Sequence, residues 1–172
     1  MKKVLIFYAS YGGGHLSAAK SIKKHIEENY PNIESEMIDC IKFISKPLEK
    51  ITTGAYREMA KNAPKLWGKV YGGSEKGLLS HISKDSNKLM SRKLYKCIQS
   101  YEPDLIISTH PFSSQMVSYL KKKGLLGCNL ATIMTDFAIH RQWLIGHEYT
   151  DYFFVSNEQM KQDMIDYGVD EN

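Results

Sequence analysis

A chain of 172 residues is long enough for one domain, and 42% hydrophobic with 24% charged residues excludes a disordered chain and a disulfide- or metal-dependent miniature. The formal net charge of +4 is unevenly spread: from Lys46 to Lys96 twelve Lys and Arg face four Asp and Glu, leaving the rest of the chain near −4. Such a block reads as a solvated helical face or as a surface for an anionic partner, membrane or nucleic acid.

Met1-Lys2-Lys3 is followed by only five apolar residues, Val4 to Tyr8, too few for a signal-peptide core. No apolar run approaches the roughly 18 residues of a spanning helix, so any membrane contact is expected to be peripheral. Val4–Tyr8 itself reads as a strand buried on both faces. Gly12-Gly13-Gly14 follows, then a helical pattern from His15 to about Asn29 with Leu16, Ala19, Ile22 and Ile26 on one side. Pro31 closes it, and Ile33–Asp39 alternates as a second strand. Cys40, Cys97 and Cys128 form no CxxC pair, which argues against zinc and a disulfide framework and suits reduced cytosolic thiols.

Residues 45–100 are too long for a simple connection. Leu48, Ile51, Ala55 and Met59 recur at helical spacing, Asp85–Ser100 has a second helical pattern, and glycines punctuate Tyr71–Gly77 as a joint. The expectation is an inserted helical subregion. Asp104–Ser108, Asn129–Thr135 and Tyr152–Val155 are further strands, with helices near Ser113–Lys123 and Glu158–Tyr167. Strands alternating with helices give an α/β, Rossmann-like parallel sheet with helices on both faces.

Three strand-end motifs carry chemistry. Ala9-Ser10-Tyr11-Gly12-Gly13-Gly14-His15 joins the first strand to the first helix, where free N–H groups and the helix dipole suit a phosphate or polar head group. Its glycines are expected to admit close ligand approach and positive φ. The loop lacks the third glycine of a dinucleotide fingerprint and the Gly-Lys-Ser/Thr of a P-loop, and it also suits a plain tight turn. Thr135-Asp136-Phe137-Ala138-Ile139-His140-Arg141-Gln142-Trp143 leaves a later strand and reads as a ligand-lining loop; Asp136 also suits a helix cap, and Trp143 the core. Ser108-Thr109-His110-Pro111-Phe112 is the third, with Pro111 placed to start a helix. No two of the histidines have the i, i+4 spacing of a metal pair, so no metal is expected.

The run Phe7–Ala19 resembles the N-terminal signature of the monogalactosyldiacylglycerol synthase family, which includes processive diacylglycerol glucosyltransferases. Thr109-His110-Pro111-Phe112, and Thr135-Asp136-Phe137 with His140 and Trp143, are similar to that family in the same order, and the resemblance also extends to a related peptidoglycan glycosyltransferase acting on lipid-linked precursors. It implies the N-terminal, acceptor-binding half of a GT-B glycosyltransferase, inverting and metal-free, with residues 1–172 as one domain. The C-terminal donor domain that would bind the UDP-sugar is missing from the match, so the chain is expected to be inactive alone and to need no cofactor. The implied activity is transfer of a hexose to diacylglycerol at the inner face of the cell membrane.

On the same footing, His15 and Asp136 become the catalytic candidates, with Asp136 as base or as orienter of His15. Gly12, Gly13, Gly14, His110, Pro111, His140 and Trp143 become acceptor-binding candidates. Lys50, Arg57, Lys61, Lys65 and Lys69, with Trp67, would meet an anionic membrane surface. Two other readings stand beside this one. A flavodoxin-like FMN carrier fits the first strand and the length, although its phosphate loop would be rich in Ser and Thr hydroxyls. A nucleic-acid module lacks recognition motifs, so no nucleic acid is expected as a partner.

Overall fold

The computed structural model describes residues 1–10, 13–44 and 84–171, with residues 84–90 described by their backbone only. Strand β1 (Lys2–Tyr8) leads to helix α1 (Gly13–Asn29), strand β2 (Ile33–Asp39) and a short α2 (Cys40–Ile44). Helix α3 (Lys84–Tyr101), β3 (Leu105–Ser108), α4 (Pro111–Lys122) and β4 (Asn129–Ile133) follow. The chain then forms α5 (Arg141–Leu144), a 3-10 turn at His147–Tyr149, β5 (Tyr152–Phe154) and α6 (Glu158–Asp166).

All five strands pair in parallel in the order β2-β1-β3-β4-β5. The fold is therefore the expected Rossmann-like α/β sheet, consistent with the N-terminal half of a GT-B enzyme. Chain direction reverses between β1→β2 and β3→β4, so right-handed crossovers put α1 on one face and α4 on the other. Side-chain alternation along β1 serves both layers. Leu5 and Phe7 pack with Ile106, Leu130 and the apolar sides of α3 and α4, whereas Val4 and Ile6 pack with Ala19 and Ile26 of α1. A third cluster gathers Met134, Trp143, Met160 and Met164 beyond β4.

Among the described residues, the expected elements are present with small boundary shifts. Helix α1 begins at Gly13 rather than His15, and α4 at Pro111 rather than Ser113, where the fixed φ of proline suits the first helical position. β4 stops at Ile133, two residues before Thr135, since the chain turns there to form the site. Two short helices, α2 and α5, had no sequence expectation; each is too brief for periodicity to show. The expected subregion at about 45–100 lies outside the described residues apart from α3, as do Gly12, Tyr11 and the membrane candidates Lys50, Arg57, Lys61, Lys65, Trp67 and Lys69.

Gly146 places the passage from α5 into β5. Its φ of +80° disfavours any side chain, and an added Cβ would lie 2.8 Å from Ser118 Cβ on α4. Gly146→Ala is expected to destabilise the domain by at least about 1 kcal/mol, read as a lower midpoint in urea unfolding.

Candidate functional site

β1 and β3 are neighbours whose outgoing chains diverge to opposite faces, so their carboxyl ends open a crevice at the switch point of the sheet. The loop after β4 completes its rim. Each of the three sequence motifs leaves one of these strand ends, and the structure brings them together on His15.

The His15 Nδ1–H donates to the Thr109 carbonyl at 2.6 Å, and Thr135 Oγ1 stands 2.7 Å from the same nitrogen. Thr109 is itself fully buried, and its hydroxyl donates to the His15 carbonyl at 2.9 Å. One imidazole in the first turn of α1 therefore ties the ends of β3 and β4 to the glycine loop. A carbonyl can only accept, so Nδ1 carries the proton and Nε2 is the basic nitrogen of neutral His15. Burial lowers the His15 pKa; the Thr109 carbonyl and the Asp136 charge push it back up without reversing the shift.

Gly13 and Gly14 form the start of α1 beside it. Neither has positive φ, contrary to the expectation for the glycine loop, because both already lie in the helix. Their contribution is open space. Nothing lies within 4 Å of a Cβ built on Gly13, and one on Gly14 would meet only Thr135, at 3.8 Å. No acidic side chain occupies the first turn of α1, so its dipole is not offset there. Ser10, before the glycines, is held by a hydrogen bond to Asp39 at the end of β2. The same carboxylate accepts from the backbone N–H of Ile41 and Lys42, starting α2.

His110 is 3% exposed and N-caps α4, its Nδ1 accepting the Phe112 N–H at 3.1 Å. That bond leaves the proton on Nε2, the opposite tautomer from His15. The two rings meet edge to face with centroids 4.5 Å apart. Burial, then the neighbouring His15, lowers the His110 pKa well below the ordinary value. Pro111 occupies the first turn of α4, as its missing N–H allows. Below it, Ser108, Ser113 and the His110 carbonyl satisfy one another.

Asp136 is the polar hub of the third motif. Trp143 Nε1–H donates to its Oδ2 at 2.6 Å, and His140 Nε2 lies 3.2 Å from the same oxygen. Burial pushes the carboxyl up, but these hydrogen bonds and the nearby imidazoles outweigh it and hold the pKa at about 2. Trp143 is 1% exposed within the third apolar cluster, so both sequence readings of it meet: it is a core residue whose indole reaches the site. Gln115 on α4 secures α5 by bonding the Gln142 carbonyl at 2.7 Å. Phe137, 97% exposed, stands next to the tethered Asp136.

Sequence reasoning missed Thr109 and Thr135 as partners of His15, and Asp39 as the anchor of Ser10. Both threonines sat inside quoted motifs, yet a hydroxyl at a strand end gives no sign of its partner. Among the described residues, no group of three or more His, Cys, Asp or Glu side chains is arranged to hold a metal ion. No described helix is long and apolar enough to cross a membrane.

These shifts set the acid response of the fold. With both His15 and His110 lowered, the unfolded chain binds more protons below its histidine pKa of about 6.5, so stability falls as pH drops through that value. Asp136 acts at lower pH, its stabilisation being complete above about 4 and lost as pH falls towards 2. Urea midpoints measured from pH 8 to pH 5 should decline, and His110→Asn should flatten that decline, since asparagine keeps a capping acceptor without titrating.

The model of the monogalactosyldiacylglycerol (MGDG) synthase family matches residues 15–172. This chain belongs to that family. Among curated proteins, the processive diacylglycerol beta-glucosyltransferase of Bacillus cereus (strain B4264) is 29% identical over 168 residues, covering 97% of this chain and 42% of that protein. The uncharacterized glycosyltransferase YkoN of Bacillus subtilis (strain 168) is 26% identical, covering all of this chain and 46% of its own length. The chain thus spans less than half the length of these relatives. No solved structure matches. In this MGDG synthase family member, the matched region starts at His15 and contains the His110 and Asp136 motifs and all the strands after β1, while Ala9–Gly14 precede it.

Proposed function

We propose that this chain binds the acceptor for an inverting glycosyltransferase that moves a hexose from a UDP-sugar to diacylglycerol at a membrane surface. The observation that carries the reading is the convergence of His15, His110 and Asp136 at the sheet's switch point in a chain of this family. The B. cereus relative's name supplies the substrate class.

In the proposed reaction the acceptor hydroxyl oxygen attacks the anomeric carbon, the bond from that carbon to the UDP oxygen breaks, and the hydroxyl proton passes to His15 Nε2. UDP leaves with the bonding electrons. His15 suits the base because its Nδ1–H is already committed to Thr109, which leaves Nε2 free of that proton. Asp136, ionised down to about pH 2, is too weak a base for neutral conditions and instead stabilises the imidazolium that forms. His140 and Trp143 hold Asp136, while Gly13, Gly14, His110 and Pro111 shape the crevice around the acceptor head. Gly12 completes that loop in the sequence. The donor would be held by a second domain outside this chain, and the chain alone would not turn over.

The basic segment with Lys50, Arg57, Lys61, Lys65, Trp67 and Lys69 would meet anionic head groups, each charge adding about 1 kcal/mol near such a surface. Co-sedimentation of the chain with vesicles tests the reading. Binding should rise with diacylglycerol and with anionic lipid, and His15→Ala should weaken the diacylglycerol-dependent part. Binding indifferent to diacylglycerol would overturn the acceptor assignment, and equal binding to neutral and anionic vesicles would remove the electrostatic one.

The strand order β2-β1-β3-β4-β5 is also that of flavodoxin-like sheets. Shared order does not carry function, and the loop here places an imidazole where an FMN phosphate loop would place hydroxyls. A flavin absorption band in the purified chain would favour that second reading.

A further inference from the structure

We infer that Thr135 is a positioning residue that, with the Thr109 carbonyl, locks His15 in the Nδ1–H tautomer and fixes the direction of its Nε2. The observation is a double acceptor around one N–H. The Thr109 carbonyl lies at 2.6 Å and Thr135 Oγ1 at 2.7 Å from His15 Nδ1. Because the carbonyl cannot donate, the hydroxyl must also act as an acceptor in the neutral state, making the bond three-centred. Rotation of the ring by half a turn would exchange Nδ1 for a carbon and forfeit both contacts.

The two acceptors come from different strands, Thr109 after β3 and Thr135 after its neighbour β4, so two adjacent strand ends hold the ring. Gly14 belongs to the same arrangement. A Cβ built on Gly14 would lie 3.8 Å from Thr135 Cβ, an ordinary van der Waals distance, so the start of α1 and Thr135 are direct neighbours. The titratable groups facing His15 are His110 at the start of α4, and Asp136 and His140 in the loop after β4.

Holding Nδ1–H also matters when His15 gains a proton. Both acceptors bind the imidazolium N–H more strongly than the neutral one, so they favour proton uptake at Nε2. This catalytic role rests on the proposed function of His15; the tautomer does not.

The test is 15N-edited NMR of the imidazoles in the 172-residue chain, comparing wild type with Thr135→Val and Thr135→Ser. Wild type and the serine variant should show His15 with Nδ1 protonated and share one titration midpoint. The valine variant keeps the Thr109 carbonyl, so it should still favour Nδ1–H but less completely, and it should titrate at a lower midpoint. A valine variant with unchanged tautomer and midpoint would overturn the inference, as would a serine variant that behaves like valine. Circular dichroism identifies a variant that fails to fold, and in that event wild type alone decides: His15 protonated on Nε2 would overturn the proposal.

A second arm uses an enzyme joining this chain to a donor-binding domain. Thr135→Val should lower kcat by about ten- to a hundredfold with little change in the acceptor KM, the size expected for a misdirected reacting group. Wild-type failure to glycosylate diacylglycerol would sink the proposed function while leaving the NMR result to judge Thr135.

Discussion

His15→Ala is expected to lower kcat by about 10²- to 10⁴-fold in an enzyme that joins this chain to a donor-binding domain, the range associated with loss of a general base. The loss should fall on kcat more than on the acceptor KM, because proton transfer is felt in the transition state and scarcely in the ground state. Of His15, His110 and Asp136, His15 is the one suited to take a proton at neutral pH: Asp136 is held at about 2 and His110 is buried with a strongly lowered pKa. The acid limb of kcat/KM should therefore report His15, and it should lie below the ordinary histidine value because burial lowers that pKa. Asp136→Asn should remove part of what pushes the His15 pKa up and move the limb to still lower pH. A His15→Ala enzyme within tenfold of wild type would reject the assignment.

That prediction rests on residues the sequence displayed and on contacts it did not. The sheet was legible because Val4–Tyr8 is a continuous apolar run and Ile33–Asp39 alternates, signals set by the strand's own period. The three motifs were legible as strand-end loops for the same reason: once the strands are placed, parallel connectivity sends every carboxyl end to one edge. The bonding within the site was not legible. Thr109 meets His15 across 94 residues and Thr135 across 120, and such a meeting depends on strand order. The reversal between β1 and β3 places these loops side by side, and no local pattern encodes it. The same gap explains the glycines. A Gly-Gly-Gly run signals a special backbone, yet only the fold reveals that Gly13 and Gly14 contribute space rather than unusual φ.

The Asp136 assignment shows how burial and chemistry trade places. The sequence suggested a carboxylate acting as base or as orienter of His15. Its Oδ2 accepts from the Trp143 indole and lies beside His140, and these neighbours make it a fixed negative charge. The field of that charge raises the His15 pKa. A carboxylate so held also needs little reorganisation when the imidazolium appears.

Trp143 is where that charge is anchored, and its removal should be the most damaging single change to the domain. The indole is 1% exposed among Met134, Met160 and Met164, so Trp143→Ala leaves a large apolar cavity and should cost about 3–5 kcal/mol. The partially buried Asp136 carboxylate simultaneously loses its 2.6 Å donor, which adds to the penalty. Trp143→Phe separates the two effects. Phenylalanine keeps most of the packing but cannot donate, so its unfolding free energy should fall by a smaller amount while the Asp136 pKa rises from about 2. Thermal and urea unfolding of the three proteins read the first quantity, and carboxyl NMR titration reads the second. If Trp143→Phe left the Asp136 titration where it is, the indole N–H would have no part in setting the charge. If it raised the pKa and slowed turnover without changing the acceptor KM, the core of this domain would be tied to its chemistry through one hydrogen bond.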